Sequence, residues 1–180
     1  MNKEERVYVY IDGSNLYYNL KRNNCSSVNF DFKAFIDSFV GDRRLEGVRY
    51  YIGHVIKKRG DLKSERLYWF QKELFCRLRV AEFHIVKGRI RRIGNVFTEK
   101  GVDVRIAIDL VEGAYENHYD KALLVSSDGD LAPAIDMVRR KNKAVEIVSF
   151  KDNPSYSLIQ KANYRHFIGI DDLQRFVAPQ

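Results

Sequence analysis

Asp12, Asp103 and Asp128 lie far apart in the sequence, yet each stands where a helix is expected to begin. Asp130 follows Asp128 by two residues, and Asn15 follows Asp12 by three. Carboxylates brought to one point repel: two of them at about 4 Å cost roughly 4 kcal/mol at an effective dielectric of 20. Either some take up protons or a divalent cation binds among them. Oxygen donors with no Cys/His pattern beside them favour Mg²⁺ or Mn²⁺. Such an ion orients a water, lowers its pKa and neutralises charge on a phosphoryl oxygen. Asp12, Asp103 and Asp128 are therefore expected to hold a metal. Asp130 would be a further ligand or an acceptor for the attacking water, and Asn15 would hold Asp12 or a water at the ion. Ordinary readings exist for each. Asp12 or Asp130 could cap a helix, Asp103 could favour a helix N-terminus, and Asp128 after two serines could be turn chemistry.

The elements that must gather these residues are legible. Residues 7–11, V-Y-V-Y-I, are strand formers that can be buried on both faces, as in an interior parallel strand. The run stops at Asp12, and Gly13-Ser14 permits a sharp turn into a helix carrying Leu16, Tyr17 and Leu20. Further strands are expected at 48–56, 80–86, 122–125 and 145–149, with an edge strand at 167–170. Helices are expected after Asp31, over 61–79, from Gly101, over 131–141 and 154–162, and a last turn over 171–177. Residues 87–97 read as a basic hairpin or loop. In the 61–79 helix, Leu62, Leu67, Phe70, Leu74 and Leu78 form the expected inner stripe. In the helix after Gly101, Val102, Ile106, Leu110 and Ala114 step by four, and Asp109 is assigned to the far side. The alternation implies a three-layer α/β/α domain with a mainly parallel sheet. Asp12 and Asp128 each follow a buried strand, and Asp103 lies in a helix's first turn. All three then fall on the carboxyl edge, where open α/β sheets bind ligands.

The chain has 180 residues, enough for one domain with a full core. Its net charge of +7 points to a polyanionic partner. Two cysteines, Cys25 and Cys76, lack C-x-x-C spacing and read as reduced thiols. No apolar run approaches bilayer length, and the charged start M-N-K-E-E-R lacks a signal core. The expectation is a soluble cytoplasmic protein with no membrane partner. D-x-S-x-S fails because Leu16 takes the second serine position. An EF-hand loop, a D-x-D-x-T phosphatase motif and a phosphate-binding G-x-x-x-x-G-K-[ST] are likewise missing.

Three blocks, Y-I-D-G-S-N-L, K-G-V-D-V-R-I-A-I-D and L-L-V-S-S-D-G-D-L-A-P-A-I, resemble in order the three motifs of the NYN domain. That family belongs to the PIN-like nuclease superfamily, and the likeness is to its LabA-like branch. The resemblance spans about 7–148 of a single domain covering 1–180, with an extension over 150–180. It implies a Rossmann-like PIN fold of about five strands, ordered 3-2-1-4-5, and a metal-dependent ribonuclease or RNA-binding role. By position, Asp12, Asp103 and Asp128 match the acidic metal positions, Asp130 a further acidic one, and Asn15 the polar residue after the first aspartate.

Basic residues follow the second and third strands: Lys57, Lys58 and Arg59, then Lys87, Arg89, Arg91 and Arg92, with Lys100 just before the Asp103 helix. These are expected to hold phosphates on the edge that carries the acids. Tyr17 and Tyr18 could stack on an unpaired base or fill the core. The resulting reading is an Mg²⁺- or Mn²⁺-dependent endoribonuclease acting on single-stranded RNA, with a homo-oligomer compatible. The alternatives are a catalytically weak RNA-binding or adaptor module, a DNA nuclease and a phosphatase.

Overall fold

The computed structural model describes the chain apart from residues 1–3, 26–28, 58, 94–95 and 178–180, and within 91–99 it describes backbone only. Among the described residues, the strands are β1 (Arg6–Asp12), β2 (Arg44–His54), β3 (His84–Ile93), β4 (Val96–Lys100), β5 (Lys121–Val125), β6 (Ala144–Phe150) and β7 (Tyr164–Ile168). The helices are α1 (Gly13–Arg22), α2 (Phe32–Val40), α3 (Leu62–Val80), α4 (Val102–Tyr115), α5 (Ala132–Arg140), α6 (Tyr156–Lys161) and α7 (Ile170–Gln174). They build one sheet in the order β4-β3-β2-β1-β5-β6-β7.

The expected order 3-2-1-4-5 is present as β3-β2-β1-β5-β6, all parallel. The sheet is longer than expected at both ends. β7 adds a parallel edge strand, and β4 returns antiparallel on β3. The alternation in β1 sends its side chains both ways. Val7, Val9 and Ile11 enter a core with α1, α2 and α3, whereas Tyr8 and Tyr10 enter another with α4, α5 and α6. The strand that ends in Asp12 is thus covered on both faces and flanked by β2 and β5.

Two expectations are corrected. Val80 belongs to α3 rather than to a third strand: it is 87% exposed, and Glu82 closes the helix with a left-handed φ of 61°. β3 begins only at His84 and runs through the expected excursion to Ile93. The inner stripe of α3 is also different. Ser64, Gln71, Leu74, Phe75 and Leu78 are buried, whereas Leu62 is 77% exposed. The first half of α3 turns its large side chains towards solvent.

Candidate metal centre

β1 and β5 are parallel neighbours, with Ile11 opposite Val125. They end on the same edge, β1 at Asp12 and β5 at the turn that carries Asp128. Gly13 lets the chain reverse beside β2: a Cβ there would meet the Tyr50 ring and come 2.6 Å from the Tyr51 carbonyl oxygen. α4 approaches the same edge through Gly101, whose left-handed φ of 78° forms an N-cap without a side-chain hydrogen bond. Asp103 in the first turn is therefore not consumed as a cap.

Carboxylate oxygens of Asp12, Asp103 and Asp128 lie within 4.8 Å of one another. Asp12 is buried, Asp128 half-buried and Asp103 exposed. Asp12 turns out to be both cap and cluster member. Its Oδ1 accepts from the Asn15 amide at 2.9 Å, and its Oδ2 accepts from the Ser126 hydroxyl at 3.2 Å. Ser126 Oγ in turn accepts from the Asp128 amide at 3.0 Å, so one hydroxyl joins the two strand ends. Asp128 Oδ1 accepts from the Asp130 amide at 2.9 Å and caps a 3-10 turn, Gly129–Leu131. That turn separates Asp130 from α5, whose N-cap is Leu131 without a side-chain bond. Asp130 is thus not the cap of α5; it is exposed and lies outside the 4.8 Å group.

Asn15 acts through its neighbours. Its Oδ1 accepts from the Ser127 amide at 3.0 Å and from Asn19 Nδ2 at 2.9 Å. The side chain ties the Asp128 turn to α1, while the Asn15 backbone amide serves Asp12. Ser126 and Asn19 are positioning residues that the sequence reading missed. The two serines before Asp128 were a signal for the first, and the four-residue step from Asn15 for the second. Asp109 is a correction: it is 1% exposed and faces the sheet. Seven residues are nearly two full helical turns, which returns Asp109 to the face of Val102. Its Oδ2 accepts from Tyr51 Oη at 2.8 Å and pairs with Arg49 at 2.8 Å, and Arg105 pairs with Oδ1. These bonds lock α4 onto β2 and so fix Asp103.

The donor set fits a hard divalent cation. It is all oxygen, and the buried Ser127 Oγ beside it has no hydrogen-bond partner. Desolvation first, then the charges of Asp128 and Asp130, push the Asp103 carboxyl above its ordinary value. An acid shifted this way opposes folding increasingly as pH rises through its folded value. At neutral pH the metal-free protein therefore carries a penalty, reduced by the exposure of Asp103. Asp103→Asn is expected to raise the metal-free Tm, since relief of about 1 kcal/mol is worth roughly 2–4 °C at this size. It should also blunt any rise in Tm that added Mn²⁺ gives the parent. Calorimetry with chelator and with Mn²⁺ checks both.

The cations surround this edge unevenly. Beyond Arg89, which pairs with His54 at the end of β2, the β3–β4 hairpin overhangs the carboxyl edge. Arg89, Arg91 and Arg92 lie on that hairpin within β3, not after it, and the side chains of the last two are outside the description. Arg89 and Lys100 face each other across the ladder, a like-charge pair that is unfavourable without an anion. Lys57 and Arg59 are exposed in the turn after β2, and Lys57 pairs with Glu65 at 3.5 Å. Lys58 lies outside the described residues. Burial, then the charges of Lys87 and Lys72, hold His54 below the usual histidine value, a mark of positive potential here.

The NYN domain family model matches residues 6–171. The chain belongs to the NYN domain family. This NYN chain is 26% identical over 176 residues to the low amplitude and bright protein LabA of Synechococcus elongatus, covering 97% of this chain and 89% of that one. It also superposes on the crystal structure of a protein of unknown function from Vibrio parahaemolyticus, with a TM-score of 0.67, 25% identity and 99% of both chains covered. The NYN match extends through β7 to the start of α7, beyond the 7–148 stretch that carries the motifs. No described helix is long and apolar enough to cross a membrane.

Proposed function

We propose that this NYN domain is a divalent-metal-dependent endoribonuclease that uses Mg²⁺ or Mn²⁺ on single-stranded RNA. The observation that carries the reading is the approach of three carboxylates to within 4.8 Å on the carboxyl edge. A cation bound there supplies charge neutralisation at a phosphoryl oxygen and a water of lowered pKa. The chain's own residues do the rest. Asp12 and Asp128 are held rigid by the Ser126 bridge, Asp103 arrives on α4, and Asn15 fixes the turn. Asp130 accepts a proton from the attacking water or extends the ligand set. Lys57, Lys58, Arg59, Arg89, Arg91, Arg92 and Lys100 hold the strand's phosphates on the side of the hairpin. Residues 1–180 work as one domain, and two unpaired cysteines, Cys25 and Cys76, suit a reducing cytoplasm.

The test is cleavage of a labelled single-stranded RNA by purified protein. Mn²⁺ or Mg²⁺ is expected to support cutting, chelator to stop it, and DNA of the same sequence to be cut more slowly. Affinity should fall steeply with salt, as phosphate contacts require. Salt-sensitive binding with no metal-dependent cutting would sink the nuclease reading and leave an RNA-binding module.

A further inference from the structure

α1 and α3 diverge over the carboxyl end of β2 and leave a trough of about 1130 Å³. Ser14, two residues after Asp12 at the start of α1, is among its lining residues, so the chain that carries the first carboxylate leads directly into the trough wall. Ile90 of the overhanging hairpin also lines it. Its volume exceeds the roughly 300–1,000 Å³ of small-molecule pockets, which suits a segment of polymer.

The walls are aromatic and exposed. Tyr18 is 68% and Trp69 62% exposed. Tyr17 stands edge-on between Tyr18 and Phe70, with ring centroids 5.6 and 6.2 Å away, and braces them. Large exposed apolar surface of this kind marks a binding face. The floor makes no polar demand. Gln71 Nε2 donates to the Gly53 carbonyl at 2.7 Å, and Gln71 Oε1 accepts from the Val55 amide at 2.9 Å. An occupant would thus be recognised by flat faces and charge rather than by a hydrogen-bond code. The charge is net positive: Lys63 and Arg66 line the trough against Glu73, and Lys57, paired with Glu65 at 3.5 Å, places its Nζ 5.7 Å from the Trp69 ring centroid. Ring faces beside cations are how unpaired bases are held without sequence preference.

We propose that the trough between α1 and α3 is a stacking subsite for unpaired bases of a polynucleotide, next to the phosphodiester at the carboxylate centre. Tyr18 and Trp69 provide the ring faces, and Lys57, Lys63 and Arg66 the countercharge. Bases inside a duplex are already stacked and cannot reach these rings, so the subsite selects single strands. This rests on the nuclease reading for the position of the phosphodiester.

Trp69 is the chain's only tryptophan, so its emission reports on this subsite alone. The Asp12→Asn protein with Mn²⁺ would be titrated with a labelled oligouridine, an abasic strand of equal length and an RNA duplex, following both label anisotropy and Trp69 emission. The expected result is saturable quenching by the oligouridine, and little by the other two. Tyr18→Ala, at an exposed position, should weaken oligouridine binding by about 10- to 100-fold and leave the abasic strand unaffected. Binding with Trp69 emission unmoved, or equal binding of base-bearing and abasic strands, would overturn the proposal. So would an emission change that follows protein concentration without RNA and tracks dimerisation in sedimentation, which would give the trough to a second copy. Quenching by a strand that the parent protein does not cut would sink the nuclease reading and keep the subsite. Cutting by the parent with Trp69 unmoved in the titration would do the reverse.

Discussion

Asp12→Asn is expected to lower metal-dependent cleavage by at least about 10³-fold, equivalent to about 4 kcal/mol of barrier. The fold should survive. An asparagine Oδ1 can still accept from the Asn15 amide that caps α1, and its amide group can donate to Ser126 Oγ, which would then accept from it as well as from the Asp128 amide. What disappears is one negative charge from a group of three within 4.8 Å. Asp128→Asn should have a comparable effect, because its Oδ1 cap can likewise be kept by an amide oxygen. The double substitution should be little worse than either single one, as for residues that act as a unit. Initial rates on single-stranded RNA, measured beside melting curves, separate lost chemistry from lost structure. Parent-like rates in both single variants would remove the carboxylates from catalysis.

The largest stability loss is expected far from that edge, at Glu146 near the amino ends of the strands. Glu146 is 3% exposed. Arg43 donates to its Oε1 at 2.5 Å and its Oε2 at 3.2 Å, Lys121 lies 3.4 Å away, and His166 Nε2 is 3.0 Å from Oε2. Burial would push this carboxyl up. The hydrogen bonds from His166 and Arg43, with the charges of Arg43 and Lys121, outweigh it and hold the group at about 2. Glu146→Gln would leave two cations gathered around a neutral amide. Breaking a buried pair costs about 3–5 kcal/mol, and the low end applies because Glu5 also pairs with Arg43 and Lys121. A fall of about 3 kcal/mol corresponds to a Tm lower by roughly 6–12 °C. The sign with pH follows from the depressed value. The stabilisation is present above the ordinary 4.5 and is lost as pH falls towards 2. Parent and variant melting temperatures should therefore converge in acid. A gap that is constant between pH 7 and 3 would show that the loss is packing rather than charge.

The order of the parallel strands rests on the resemblance of the three motif blocks, whereas the strands themselves could be read from the sequence because burial on two faces leaves an unbroken apolar run, as in β1 and β5. The acidic cluster followed from the same logic, since strand ends and a helix start share one edge. The hairpin was ambiguous because Arg89, Arg91 and Arg92 lack the apolar alternation of a half-buried strand; its backbone is held in line by β3–β4 pairing. The face of Asp109 was misread because a charged residue in an amphipathic helix was assigned to water, although Arg49, Arg105 and Tyr51 make its burial tolerable. The stripe of α3 was misread for the opposite reason. Leu62, Leu67 and Phe70 are apolar at helical spacing, yet they line an open trough. Hydrophobic period locates a face but does not say whether another part of the same chain covers it.

β1 carries the first carboxylate and has no free face and no free edge. The features suited to gripping a polymer lie instead on the flank made by the outer face of α1, α3, the β2–α3 turn and the β3–β4 hairpin. On the proposed reading, reaction and choice of target are thus housed in different parts of the molecule. Loop grafts or point changes on that flank could retarget the domain while the innermost ladder keeps the reacting groups in register.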